Sequence, residues 1–355
     1  MLISYTEAKN IVFLSSQDAA DSVRMKAICV GADQKPAVRD IPRPEKPAPD
    51  HVIIRMDGCA INPGDKFFLG RTPPPDLPLS VYDVWGVSAA GTVVAAGEGV
   101  PPSYIGTKVA VYRSLQKSEN LIGTWCEYAQ LHRLNCVLLP DKLDTQDYSG
   151  SLVNAITPYA FWRQAANEGH KGVLITAGAS ATGIAMLGIA LANRIPVLSL
   201  VRDEAGEKEL KDFGAENVLV QESTTFQNDI AELARQLETT AVFDGVGAEL
   251  VNRIASSLPA HSTVYSYGRL GKETLFSVAW DLLMAKDFSL KSFSNFRSTT
   301  VQNPLELETA LQQLSELIAM PHFKTKRGKA FAFDEIEDAL RYVGSNGEKP
   351  ILRPA

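Results

Sequence analysis

What the 355-residue chain has little of narrows its reading first. It carries four cysteines, Cys29, Cys59, Cys126 and Cys136, and no two stand at C-x-x-C spacing. Buried thiols in a reducing compartment are therefore expected, rather than a disulfide or metal framework. No run of Lys and Arg clusters enough to track a phosphate backbone, and the formal net charge is −6, so nucleic acid is a poor partner. No apolar run reaches membrane-spanning length. The opening MLISYTEAKNIVFLSSQDAADSVR lacks a basic segment followed by a sustained apolar core, which points to a cytoplasmic protein without a membrane partner. The histidines His51, His132, His170, His261 and His322 are scattered, as surface residues would be.

What is present divides near residue 150. Ahead of Met25 the chain looks like an addition. From there to about residue 150 it is β-rich, with Pro/Gly punctuation, as in a small barrel or sandwich. Residues 36–49 (PAVRDIPRPEKPAP) read as an exposed extended connector. Beyond 150, apolar strands alternate with amphipathic helices: GVLITAGA, SATGIAMLGIALAN, PVLSLV, EAGEKELKDFG and so on to STVYSYG. That alternation predicts a doubly wound parallel α/β sheet. After residue 297 a helix, a strand, a helix and a last strand form a tail too short to fold alone. The expected division is 1–150, completed by 298–355, and 151–297.

The turn Ala177-Gly178-Ala179-Ser180-Ala181-Thr182-Gly183 lies between a buried strand and a helix. Small residues there let backbone approach a pyrophosphate at the helix N-terminus, and tight helix–strand packing asks for the same residues. Arg202 follows the next strand, about 20 residues on, where an acidic side chain would take an NAD ribose. A guanidinium suits a 2′-phosphate, so NADPH is the expected cofactor. The competing readings are an exposed arginine paired with Asp203, and an NAD site built on Asp203.

Taken with Ala60-Ile61-Asn62-Pro63-Gly64-Asp65, Gly86-Val87-Ser88-Ala89-Ala90-Gly91, Gly123-Thr124-Trp125 and Asn154-Ala155-Ile156-Thr157-Pro158-Tyr159, these segments resemble the medium-chain dehydrogenase/reductase superfamily. The resemblance is to its zinc-free quinone oxidoreductase and 2-enoyl thioester reductase branches, and runs from Met25 to the end. It implies a Rossmann sheet plus a β-rich GroES-like domain. Val87, Ser88 and Asn62 stand where zinc-dependent members keep metal-associated residues, so no metal site is implied. On the same ground Asn154 and Thr157 would face the nicotinamide. Ser180, Ala181, Thr182 and Gly183 would hold the pyrophosphate, and Arg202 the 2′-phosphate. Tyr267, Gly268, Phe293 and Asn295 would lie along the cofactor, and Lys349 would contact a phosphate or ribose. Read without the family, Asn154 would be a helix N-cap, and Tyr267 and Phe293 core residues.

The implied reaction passes hydride from NADPH to a quinone, an enone or an enoyl thioester. Asn62 and Thr157 are the candidate donors where negative charge develops. Enoyl thioester reductases place a tyrosine acid at the position held here by Thr72, which favours a quinone or enone over an enoyl thioester. Tyr82 is a substitute acid from a nearby loop. Asp65 reads as a turn residue before a general acid, and Arg71 as an exposed arginine before a substrate clamp. A catalytically silent NADPH-binding sensor or scaffold is the reading outside enzymology. The resemblance also implies a homodimer, with Leu275–Trp280 as its seam or else a buried helix.

Overall fold

In the computed structural model residues 23–69, 71 and 80–354 are described; the segment ahead of Val23 and Thr72 lie outside them. The described residues open with a hairpin of β1 (Arg24–Val30) and β2 (Pro36–Pro42), paired antiparallel from Arg24↔Pro42 to Val30↔Pro36. The first half of the predicted connector is thus a strand. Its prolines sit at the two ends, and Ala37–Asp40 are exposed, as an edge strand tolerates. There follow β3 (His51–Ala60), helix α1 (Pro63–Phe68), β4 (Ser88–Ala96), β5 (Lys108–Tyr112), β6 (Tyr128–His132) and β7 (Cys136–Leu139). Gly86, at φ 85°, precedes β4 because any Cβ there would lie 2.1 Å from the Trp125 ring.

Helix α2 (Ser151–Asn167) then leads into β8 (Val173–Ile175), α3 (Ala181–Asn193), β9 (Val197–Val201), α4 (Glu204–Asp212), β10 (Val218–Val220), α5 (Phe226–Gln236), β11 (Ala241–Asp244), α6 (Ala248–Ile254), β12 (Thr263–Ser266), α7 (Trp280–Lys286) and β13 (Ser289–Ser292). All six strands run parallel in the order β10-β9-β8-β11-β12-β13. The strand order reverses between β8 and β11, which opens the crevice where such sheets bind ligands. β8, β9 and β11 are buried along their whole length, as strands covered on both faces must be.

The tail supplies α8 (Thr299–Gln302), α9 (Pro304–Leu317), β14 (Arg327–Ala332), α10 (Ile336–Arg341) and β15 (Lys349–Arg353). β15 pairs antiparallel with β3 at Ile351↔Ala60 and Leu352↔Cys59, and parallel with β14, so the C-terminus completes the first sheet: β14-β15-β3-β4-β5-β7, with β6 also on β3. One apolar cluster runs from Ala110 and Val137 of that sheet through Ile156 and Phe161 of α2 to Leu187 of α3 and Leu311 of α9. Each such large side chain, fully buried, contributes about 1.5–3 kcal/mol. The two sheets are therefore clamped together by α2, and the polar residues left at their junction are held rigidly. Among the described residues no helix is long and apolar enough to cross a membrane.

Candidate nucleotide and hydride-transfer site

α3 begins where the sequence demands. Ser180 is its N-cap: its Oγ accepts from Gly183 N at 3.0 Å and donates to Ala177 O at 2.7 Å. A Cβ on Gly183 would lie 2.2 Å from Ala177 O, so only glycine lets the helix start this close to the loop. Ala181 and Thr182, in the first turn, have backbone N–H groups with no intrahelical acceptor, pointing out of a 13-residue helix. Across the crevice Asp244 is buried; its Oδ1 accepts from Thr176 Oγ1 at 2.8 Å and from the amides of Val246 and Gly247, both at 3.1 Å. Tyr267 stacks on Phe243 with centroids 4.0 Å apart, and a Cβ on Gly268 would meet the Gly245 carbonyl at 3.3 Å.

Arg202 is exposed at the end of β9 and forms no ion pair among the described residues. The predicted alternative pairing with Asp203 does not occur, because Asp203 caps α4 by accepting from Gly206 N at 3.0 Å. That carboxylate is spent on the helix, which leaves the guanidinium free to face a ligand.

The second half of the site is a buried polar cluster where the two sheets meet. Asn62 caps α1. Its backbone N–H and its Nδ2 both donate to Asp65 Oδ2, at 2.8 and 2.9 Å, and Nδ2 also donates to Ser88 Oγ at 2.8 Å. Lys349 Nζ, from β15, donates to Asn62 Oδ1 at 2.7 Å and to Asn154 Oδ1 at 3.3 Å. Thr182 Oγ1 donates to the same Asn154 oxygen at 3.5 Å, so the line runs from the first sheet to the head of α3. Gly150 makes room for this cation: a Cβ there would lie 3.1 Å from Nζ.

Electrostatics follow from burial. The Asp65 carboxyl is pushed above its ordinary range by desolvation, against the bonds from Asn62 and the charges of Arg113 and Lys349. Burial pushes the Lys349 ammonium down to about 8, and Asp65 opposes the shift. The same desolvation lowers Arg113 to about 10, so its guanidinium stays charged at neutral pH. Asp65 thus has the local, backbone-bonding role of a turn residue, accepting the Asn62 N–H at the head of α1.

Several expectations change. Asn154 is not an N-cap; it lies inside α2, donating through Nδ2 to Gly150 O at 2.9 Å. Thr157, half-buried, donates its hydroxyl to Val153 O at 3.1 Å, closing on its own helix. The Phe293 ring is buried against Phe161 and Phe243, so its side chain is core, whereas Tyr267 is only half-buried. Asn295 is buried with its Nδ2 making no hydrogen bond among the described residues. His51 and His322 are buried rather than superficial: His51 sits between Pro49 O and Ser118 Oγ, and His322 Nε2 meets Phe213 O at 2.8 Å. Leu275–Trp280 is neither a buried helix nor a strand; Leu275 and Trp280 are 76% and 70% exposed. Sequence reasoning missed Ser88 as a partner of Asn62, Arg113, and Lys326, whose Nζ meets Ala179 O at 3.1 Å and Glu209 at 2.5 Å. Lys349, like Asn154, is legible only through the family resemblance.

The crevice fits a dinucleotide: a glycine-walled helix start and free first-turn amides at the head of α3. Among the described residues no group of three or more His, Cys, Asp or Glu side chains could hold a metal ion, and all four cysteines are buried and free. Fold and site together define a two-unit nucleotide-dependent oxidoreductase. Comparison with known proteins agrees. The alcohol dehydrogenase GroES-like domain family matches residues 48–141 and the zinc-binding dehydrogenase family residues 213–349, together about two thirds of the chain. The synaptic vesicle membrane protein VAT-1 homolog of Rattus norvegicus is 24% identical over 335 residues, 88% of this chain and 78% of that one. The acryloyl-coenzyme A reductase of Sulfurisphaera tokodaii is 25% identical over 309 residues, 80% and 88%. The solved quinone oxidoreductase of Pseudomonas syringae superposes with a TM-score of 0.68 at 22% identity, covering 93% of this chain and 99% of its own. The chain belongs to the medium-chain dehydrogenase/reductase superfamily, and the proteins it is similar to include quinone and enoyl reductases.

Proposed function

We propose that the chain is an NADPH-dependent reductase that passes hydride to a quinone or to the activated double bond of an enone, without a metal. The observation that carries the cofactor is Arg202, an exposed guanidinium at the end of β9 beside a carboxylate already committed to α4. A 2′-phosphate offers it a bidentate, charge-assisted partner. In this reading Ser180, Ala181, Thr182 and Gly183 hold the pyrophosphate. Asn154, Thr157, Tyr267, Gly268, Asn295 and the backbone at Phe293 line the rest of the cofactor's path, and Lys349 and Asn62 close it at the nicotinamide end. The bound cofactor supplies the hydride. Asn62, Asp65 and Lys349 fix the position and charge of the pocket, and the apolar clamp around α2 keeps water from the junction.

A second reading is a 2-enoyl thioester reductase, favoured by the similarity to acryloyl-coenzyme A reductase. A homodimer suits the free edge of β13, with exposed Leu275, Trp280 and Met284 nearby. Buried, unpaired cysteines suit the cytoplasm. The units would be 1–150 with 298–355, and 151–297. The test is oxidation of NADPH and of NADH, followed at 340 nm, with a quinone, a simple enone and crotonyl-coenzyme A. Turnover with NADPH preference supports the reading, and the best acceptor selects the branch. Arg202→Ala should weaken NADPH binding about 10- to 100-fold and leave NADH unchanged. Tight NADPH binding without turnover would instead mean a silent sensor or scaffold.

A further inference from the structure

Resting on the reductase reading, we propose that Lys349 is the proton donor of the reaction, held for that step by Asn62 and Asp65. Most donors at the junction are already committed. Both amide hydrogens of Asn62 are taken, by Asp65 Oδ2 and Ser88 Oγ. The Thr157 hydroxyl is spent on Val153 O, and Asn154 donates one of its two Nδ2 hydrogens to Gly150 O. The second Asn154 N–H and the Ser88 hydroxyl are far too weakly acidic to protonate carbon at neutral pH, which leaves the ammonium as the acid of the cluster. An ammonium has three N–H bonds, and Lys349 uses two, on Asn62 Oδ1 and Asn154 Oδ1. One N–H is therefore unassigned, on a buried cation between α1 and the head of α3.

Its surroundings favour release of that proton. Both acceptors are neutral amide oxygens, which hold an ammonium less firmly than a carboxylate would. Asp65 is the facing charge on α1, shared with Arg113, and Tyr112 faces that pair from β5. Arg327, the register partner of Lys349 on β14, turns away to Asp147 at 3.0 Å. With burial, this leaves the ammonium near 8, close to the working pH of a cell, where a general acid is most effective.

The step balances. A bound dihydronicotinamide would supply the hydride for the enone's β-carbon and the two electrons with it, leaving the π electrons on the carbonyl oxygen. One Lys349 N–H bond breaks as a C–H bond forms at the α-carbon. The neutral amine left behind takes a proton from water. Asn62 and Asp65 are positioning residues, acting through Lys349.

The experiment uses the full chain with 3-penten-2-one, comparing wild type with Lys349→Gln and Lys349→Arg. The wild-type kcat should fall above pH about 8, and Lys349→Gln should lose about 10²- to 10⁴-fold in kcat together with that alkaline limb. NADPH affinity, read separately by fluorescence titration, should change less than tenfold, and added ethylamine should restore part of the lost kcat. Lys349→Arg keeps the charge and cannot release its proton at these pH values. It guards against a glutamine variant that fails to fold, and should bind NADPH normally while turning over slowly with no limb near 8. Variants that keep kcat and the limb overturn the proposal. So does a loss fully accounted for by NADPH affinity, which would make Lys349 a cofactor ligand only. A wild type that reduces no acceptor overturns the reductase reading and this proposal together, whereas wild-type turnover with insensitive variants overturns the proposal alone.

Discussion

Gly183→Ala puts the phosphate loop to its hardest test. An alanine Cβ would stand 2.2 Å from Ala177 O, 2.5 Å from Gly178 O and 2.9 Å from the Gly178 carbonyl carbon. A carbon and an oxygen come no nearer than about 3.3 Å without strain, so the loop or the helix start must give by about 1 Å. All three atoms are backbone, so no side chain can swing aside. Alanine gains about 1 kcal/mol in helix propensity, which works against the effect, and overpacking of this kind costs about 1–3 kcal/mol or somewhat more. The expected result is a lower melting temperature. The Ser180–Thr182 segment also moves, and a displacement near 1 Å at a binding constellation costs about 100-fold in rate. Gly64→Ala is the stability control: it lies in α1 with nothing within 4 Å of the new Cβ, and should be neutral or slightly stabilising. Thermal melts and NADPH fluorescence titrations read both effects. A Gly183→Ala variant with unchanged melting and unchanged NADPH affinity would falsify the loop geometry. Lower melting with unchanged affinity would reduce the small residues to packing.

Other consequences are as direct. Asp65→Ala strips the carboxylate that faces two buried cations and the acceptor of the α1 cap, and should cost about 3–5 kcal/mol in urea unfolding. Glu168, at the end of α2, is held down to about 2 although its partial burial alone would raise it, because Lys291, Tyr265 and Gln164 donate to it. Its stabilisation is thus complete above its ordinary value of 4.5 and disappears as pH falls from there through about 2. The gap in urea midpoint between wild type and Glu168→Gln should accordingly be wide at pH 7 and nearly closed at pH 2. Trp280→Glu places a charge in the exposed apolar stretch near the β13 edge, and sedimentation should show a dimer turned monomer if that edge is the interface.

The parts of this protein that could be read from its sequence are those whose physics is local. Strands β8, β9 and β11 are short and apolar except for Ser199 and Asp244, and the helices between them repeat apolar positions with helical period. The order of the parallel sheet follows almost without choice once that alternation is seen. Proline misled at β2, because a single edge strand accepts it at both ends, and nothing local distinguishes that from a connector. Histidine misled for a related reason. His51 and His322 are buried with one ring nitrogen each, Nε2, meeting a partner 67 and 109 residues away, and composition carries no trace of such pairings.

The site shows the same divide, and it explains why the nucleotide half was easier than the chemical half. The pyrophosphate loop is one strand, one turn and one helix, so its requirement for small residues is written in seven consecutive positions. The buried cluster is assembled from α1, the start of β4, α2 and β15, and its central bond joins residues 287 apart. Asn62 alone suggests a donor, since an amide carries two N–H groups. Only when Ser88 and Asp65 are seen to take both, and Lys349 to occupy the oxygen, does the amide become a bracket and the lysine the group with a hydrogen to give. Which residue acts is thus a matter of which donors are already spent and which of the rest is acidic, and that is a property of the folded junction rather than of any motif.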